Sequence, residues 1–305
     1  MLRSKKKNKT QYSSKKIEFG VSSMVSRLKT VGMLKPIEAL KRVDPNKWHY
    51  GQAFDPSKIE RNYSSFIKTL NSLDVEILWM TPKNNENADS IFTYDPSFMT
   101  QKGAILLSPG KSLRKGEEKI HEEFYKNNDI PIIGKLSESA IAEGGDMFWL
   151  DSETLVIGKG FRTNQIAIEQ IKSMLSKINV EVVSFDLPFF LGREACLHMM
   201  SLISIVDEKK ALVYFSLLPV GLVQLLEKKG YDLIEAPEDE FISSEGLNIN
   251  VLAIKPGICV MISGCPRTKK ALEKKGVTVY TFDGDALCIG CEGGPTCLTR
   301  PILRV

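Results

Sequence analysis

Apolar and polar positions along this chain follow an order that recurs roughly every fifty residues. Near the C-terminus, NVLAIKP and ICVMISG (250–264) have the form of two paired strands. PRTKKALEKKG then reads as a helix stopped by Gly276, and VTVYTF as a third strand. The stretch before it repeats the order with LHMMSLISIVDEKKALVYFS, the helix PVGLVQLLEKKG and the strand YDLIEA. Earlier still come GDMFWLDSETLVIG, the helix TNQIAIEQIKSMLSKI and VEVVSF. SIFTYDPSFMTQKGAILLS, a helix near 117–127 and IPIIG form another unit, and GMLKP, a helix at 57–73 and VEILWM a fifth. In that last helix Ile59, Tyr63, Phe66, Ile67, Leu70 and Leu73 share one face at 3.6-residue spacing. The third strands end near Trp79, Ile133, Phe185, Glu235 and Phe282.

Each ββαβ-type unit has an apolar face that it cannot bury alone. Closing five of them into a ring buries every face and leaves no open sheet edge. The expected fold is therefore α/β, a five-bladed α/β propeller with pseudo-fivefold symmetry, formed as one domain over 20–305. Residues 1–19 are expected to be a disordered basic tail, because that stretch has almost nothing to bury.

Charge sharpens this division. The first sixteen residues hold seven positive charges and no acid, so against a whole-chain charge of +4 the remainder carries about −3. A slightly acidic body is a poor nucleic-acid surface. No apolar run approaches the roughly 20 residues of a membrane span, and no apolar stretch follows the basic N-terminus as in a secretory signal. Cys196, Cys259, Cys265, Cys288, Cys291 and Cys297 are therefore expected as reduced thiols in a cytoplasmic protein. A symmetric homo-oligomer is the default assembly.

In a ring of such units, equivalent positions converge on the axis, and the unusual residues stand where the hairpins begin. Asp89 and Asp95 lie in DSIFTYDP, Glu143 and Asp146 in EGGD, His198 in LHMMS, and Cys297 closes GGPTC. Carboxylates, one histidine and one cysteine are the set that thiolate catalysis requires. Each also has a plain structural reading. Cys297 could be a small buried apolar residue, His198 a satisfied core histidine, and Gly144-Gly145 a simple bend. A zinc site of Cys288, Cys291, Cys297 and His198 competes, but no second CxxC pair accompanies it. No P-loop and no GxGxxG after a strand occurs, so no nucleotide cofactor is implied.

Taken in order, FTYDP, EGGDMFWLD, GFRTN, LHMMS and GGPTCLTRP resemble the guanidine-modifying (amidinotransferase/arginine deiminase-like) superfamily from about residue 32 onward. The nearest likeness is to the dimethylarginine dimethylaminohydrolases and their bacterial relatives. The resemblance implies the five-bladed fold and a set of roles. Cys297 would be the nucleophile, His198 the general acid and base, and Glu143 the group that orients it. Asp95 would grip guanidinium nitrogens with Asp89 in support. Arg162 would bind the substrate carboxylate, with Arg114 as a second arginine, and Asp146 would bind substrate or hold the turn.

The implied reaction needs no metal and no cofactor. The thiolate attacks the guanidinium carbon, His198 protonates the departing amine, and water resolves the covalent thiouronium to a ureido product such as citrulline. Two positions depart from relatives. Met200 stands where arginine and agmatine deiminases carry an aspartate, an apolar wall suited to an N-methylated guanidine. Tyr94 stands where eukaryotic dimethylargininases carry a glutamate. The expected function is hydrolysis of Nω-methylated arginine. Deimination of arginine or agmatine, amidino transfer to an amine, and a non-catalytic binding propeller are the rivals.

Overall fold

The computed structural model describes residues 17–83, 86–137, 139–193, 195 and 197–305. Its strands fall into five three-stranded sheets of one design. In each, a first strand runs antiparallel to a second, a helix crosses over, and a third strand returns parallel to the second.

The second unit has β3 (Ser97–Thr100), β4 (Gly103–Leu106), the helix Glu117–Asn127 and β5 (Ile132–Lys135). The third has β6 (Met147–Asp151), β7 (Thr154–Lys159), the helix Gln165–Ser176 and β8 (Glu181–Asp186). The fourth has β9 (Ile203–Asp207), β10 (Lys210–Val213), the helix Val220–Lys228 and β11 (Asp232–Glu235). The fifth has β12 (Leu252–Lys255), β13 (Ile258–Ile262), the helix Pro266–Lys274 and β14 (Thr278–Phe282).

The first unit is assembled from both ends of the chain. Its β1 (Leu28–Leu34) pairs in parallel with β2 (Glu76–Met80), after the helix Ile59–Ser72. Its antiparallel partner is β15 (Arg300–Arg304), with Val31 opposite Pro301 and Gly32 opposite Arg300. The sequence gives no hairpin mate beside GMLKP because that mate lies at the far end of the chain. Neighbouring sheets touch in order: β15 lies against β3, β12 against β9 and β1 against β12.

Local chemistry explains the crossovers. In the helix Ile59–Ser72, Ile59, Tyr63, Phe66 and Leu70 are buried, the stripe expected from its spacing. The Asn164 side chain caps the helix Gln165–Ser176 by accepting from the Ala167 N–H at 2.9 Å. Gly230 and Gly276 follow their helices at φ +75° and +80°, where a side chain would be strained.

The basic stretch 1–16 lies outside the described residues. Ile17 and Phe19, expected in the tail, instead pack against the core cluster that contains Val21, Leu34 and Ile302, and the Gly20 N–H donates to the Ile302 carbonyl at 2.8 Å. Apolar side chains with a surface to cover move the domain boundary forward to Ile17. Among the described residues, no helix is long and apolar enough to cross a membrane.

Candidate active site

The loop or short turn before the first strand of each sheet contributes one polar side chain. Asp95 precedes β3, Glu143 precedes β6, His198 precedes β9, Asn250 precedes β12 and Cys297 precedes β15. Glycines let these turns crowd together. A Cβ on Gly145 would run into the His198 ring, one on Gly144 into the Tyr94 carbonyl, and one on Gly294 into the Asn250 side chain.

Glu143 and His198 are both buried, and Glu143 Oε2 lies 2.7 Å from His198 Nε2. The other carboxylate oxygen accepts from the backbone N–H groups of Gly110 at 2.9 Å and Lys111 at 3.1 Å. Arg162 Nη1 adds a contact at 3.3 Å. Burial alone would raise the Glu143 carboxyl. The hydrogen bond to His198 and the charge of Arg162 outweigh it and hold the group well below the usual carboxylate range. His198 itself starts the short turn Met199–Ser201, its N–H donating to Ser201 Oγ at 3.1 Å.

Asp95 accepts from the Gly145 N–H at 2.8 Å and from Arg114 Nη1 at 2.6 Å. Asp95, Glu143 and His198 each bring one polar atom to within 4.8 Å of the others. Cys297 is partly exposed beside them, and its sulfur accepts from Asn250 Nδ2 at 3.1 Å. The Asn250 oxygen accepts from the Thr296 N–H at 2.9 Å, so one amide fixes both the loop and the sulfur.

Three expected substrate contacts are held by the protein. Arg114 is buried: Nη1 goes to Asp95, Nε and Nη2 to Glu117 at 3.0 and 2.8 Å, and Nη2 also to the Phe92 carbonyl at 3.0 Å. Burial opposes its charge, but the carboxylates of Glu117 and Asp95 outweigh it and keep the guanidinium protonated. A guanidinium so occupied anchors Asp95 while bordering the smaller compartment.

Asp146 accepts from Thr163 Oγ1 at 2.6 Å and from the Met199 N–H at 3.0 Å, lines neither compartment described below, and stitches two turns together. Burial pushes its carboxyl up to about 6. Asp89 is clamped by the Tyr50 hydroxyl and Lys111 Nζ, each at 2.6 Å.

Cys288 and Cys291 are buried, and burial raises both thiols well above the usual range. The zinc set built on them is not assembled among the described residues, where the converging ligand-type atoms are those of Asp95, Glu143 and His198.

Two compartments meet at Cys297 and His198. The smaller, about 30 Å³, is polar and bounded by Asp89, Asp95, Lys111, Arg114 and Arg162. The larger, about 640 Å³, is mostly apolar and includes Met200, Tyr94, Tyr214 and Phe241 in its walls. Tyr94 does not act as a glutamate would. Its ring lies 4.0 Å from the buried Arg300 guanidinium, and Arg300 Nη1 donates to the Tyr94 carbonyl at 2.9 Å.

Asn250, Lys111, Tyr50 and Glu117 were not foreseen as site residues. Asn250 was readable, since it occupies in the fifth unit the place that marked the residues of the other units. Lys111, Tyr50 and Glu117 act through contacts that only the folded chain brings together.

A buried carboxylate–imidazole pair, a second buried carboxylate and a partly exposed thiol thus meet at one site. Residues 50–297 match the family model described as N,N dimethylarginine dimethylhydrolase, eukaryotic, and the chain belongs to that family of hydrolases, which act on C–N bonds in linear amidines.

It is 25% identical over 252 residues to the N(G),N(G)-dimethylarginine dimethylaminohydrolase of Pseudomonas aeruginosa, covering 82% of this chain and 91% of that one. It is 26% identical over 252 residues to an arginine deiminase of Streptococcus equi subsp. zooepidemicus, covering 70% of this chain and 60% of the other. Among solved structures, the P. aeruginosa enzyme complexed with citrulline superposes with a TM-score of 0.74 at 22% identity, over 92% of this chain and 100% of that one. An amidinotransferase from Microseira wollei gives 0.76 at 16% identity, over 94% and 97%.

Proposed function

We propose that this protein is a cysteine-dependent hydrolase of a guanidino compound, working through a covalent thiouronium on Cys297. The observation that carries this reading is the 2.7 Å Glu143–His198 pair, whose imidazole lines the same two compartments as Cys297. In this reading the five sheets close as a five-bladed α/β propeller, and the active site lies at its axis.

The Cys297 thiolate, steadied by the Asn250 amide, attacks the guanidinium carbon and forms the S–C bond. Asp95, anchored by Arg114, holds the planar cation in line. As the C–N bond breaks, its electron pair goes to nitrogen, and His198 delivers a proton there so that a neutral amine leaves. Water then gives a proton to His198 and adds to the thiouronium carbon. Collapse expels the thiolate and leaves a ureido product. Glu143 holds the imidazole through both steps, and Arg162 faces the small compartment as the group for a substrate carboxylate.

Nω-methylated arginine, giving citrulline and (di)methylamine, is the first substrate to assay. The relative from P. aeruginosa is named for it, and Met200 presents an apolar wall. Deimination of arginine or agmatine and amidino transfer to an amine would share the same intermediate. The protein is read as a soluble cytoplasmic enzyme.

The test incubates the purified protein with asymmetric dimethylarginine, monomethylarginine, arginine and agmatine, assaying ureido product and released amine with and without an amine acceptor. Turnover abolished by Cys297→Ser is the expected result. Turnover that survives this substitution would overturn the mechanism.

A further inference from the structure

Lys111, Arg114 and Arg162 border the small compartment, and each already faces a carboxylate. Lys111 Nζ lies 2.6 Å from Asp89, Arg114 Nη1 2.6 Å from Asp95, and Arg162 Nη1 3.3 Å from Glu143. Glu292 borders the compartment as well. Burial and then the charge of Glu245 raise its carboxyl to about 7, against the pull of Lys111 and Arg162. With Arg114 paired to it, the Asp95 charge is cancelled, and a cationic substrate would meet a neutral ion pair at the residue proposed to hold it.

Behind Arg114 stands a second carboxylate. Glu117 is 1% exposed and lines neither compartment. Its Oε2 alone accepts from both Arg114 Nε at 3.0 Å and Nη2 at 2.8 Å, while Oε1 has no hydrogen-bond partner among the described residues. Glu117 also opens the helix Glu117–Asn127, where the helix dipole favours an anion. One guanidinium therefore lies between two buried carboxylates, of which only Asp95 reaches the compartment.

We propose that Glu117 is the counterion of Arg114 that leaves the Asp95 charge to the substrate, a positioning residue that makes the site prefer a cation over a neutral group of the same shape. The set Asp95, Arg114 and Glu117 carries a net negative charge when Glu117 is ionised and none when it is not. A guanidinium arriving beside Asp95 completes a second ion pair in the first case and is a buried cation without a counterion in the second. Burial pushes the Glu117 carboxyl up to about 8, with the Arg114 charge opposing and Asp89 and Asp95 adding to it. Preference for the cation therefore rises as pH climbs through about 8. The inference rests on Asp95 holding the guanidinium, as proposed above, and not on which guanidine is turned over.

The test compares two alkylating agents of one shape, the cation 2-chloroacetamidine and the neutral 2-chloroacetamide. The Cys297 thiolate displaces chloride from either, which requires only that the thiol be partly exposed, as it is. The ratio of the two rates is taken with the Cys297→Ser signal subtracted, and is divided by the same ratio for N-acetylcysteine to remove the titration of the reagents. A general distortion of the site slows both reagents and leaves the ratio. In the parent the ratio is expected to rise about 10-fold from about pH 6 to about pH 8.5, the effect of one charge acting across a guanidinium at an effective dielectric of about 20. Glu117→Gln keeps an oxygen for both Arg114 hydrogen bonds and removes the charge. It is expected to abolish the rise and to lie about 10-fold below the parent at about pH 8.5. Equal ratios in the two proteins, or a rise that persists in the variant and so belongs to Glu292, would overturn the role. Should that variant not fold, Glu292→Gln decides: the rise is expected to survive there, and its loss would overturn the role. Turnover of asymmetric dimethylarginine by the parent reports separately on the hydrolase, so absent turnover with the ratio shift intact sinks the reaction and not the charge arrangement.

Discussion

Asn250→Asp is the perturbation that reads most directly on the nucleophile proposed at Cys297. The change keeps the shape of the side chain, but it replaces the Nδ2 donor 3.1 Å from Cys297 Sγ with a carboxylate oxygen. Two unit charges at that separation repel by about 5 kcal/mol at an effective dielectric of about 20, a ceiling because the carboxylate can rotate toward the Thr296 N–H. Half of that would move the pH midpoint of thiolate formation up by about two units and lower kcat/KM roughly 100-fold at neutral pH. Asn250→Ala removes the donor without adding a charge. It loses one hydrogen bond to a charged group, about 1.5–3 kcal/mol, or roughly 10- to 150-fold in kcat/KM.

The assay is the pH dependence of alkylation by iodoacetamide, with the Cys297→Ser signal subtracted. Cys259, Cys265, Cys288 and Cys291 are buried and react slowly in the folded protein. Alkylation of the aspartate variant at the parental pH midpoint would show that Asn250 has no purchase on the sulfur.

Three further substitutions probe the shell around the site. Gly145→Ala should lower kcat by at least about 100-fold with little change in melting temperature, because the new methyl collides with the His198 ring; unchanged kinetics would show that the ring has room to move. Arg114→Met leaves Asp95 and Glu117 buried without their partner, and a destabilisation of about 3–5 kcal/mol is expected by urea denaturation. Asp146→Asn should keep activity, since its contacts are to Thr163 and Met199, and should flatten the pH dependence of stability. The Asp146 carboxyl is raised from 3.8 to about 6 in the folded state, so its contribution is fully present below about pH 4 and is lost as pH rises through about 6. The difference is at most about 3 kcal/mol, and a variant with the parental pH profile would refute the assignment.

The architecture was readable where the periodicity was local. Hairpin, helix and return strand follow one another in units two to five, and the ends expected for their third strands agree with β5, β8, β11 and β14. The first unit resisted because β1 and β15 are joined by pairing and not by sequence proximity. The set Asp95, Glu143, His198 and Cys297 was legible as unusual polar residues at equivalent places. The employment of Arg114 and Asp146 was not, because an arginine or aspartate beside a site looks the same whether it meets a ligand or a buried partner. The large chamber was invisible for a related reason. Tyr94, Tyr214, Phe241 and Thr296 are far apart along the chain, and its apolar members cannot be told from core by pattern alone.

The joint between the two chain ends also bears on catalysis. Cys297 lies just before β15, and its carbonyl accepts from the Tyr94 N–H at 3.1 Å. Just after it, Arg300 donates to the carbonyls of Tyr94 and Ser97 and stacks on the Tyr94 ring. Tyr94 is followed by Asp95, so the residues proposed as nucleophile and as substrate holder are fixed to each other through one backbone stretch. That arrangement exists only once β15 has paired with β1. The pairing that completes the first sheet is therefore also what sets the thiol proposed as the nucleophile beside Tyr94 and Asp95.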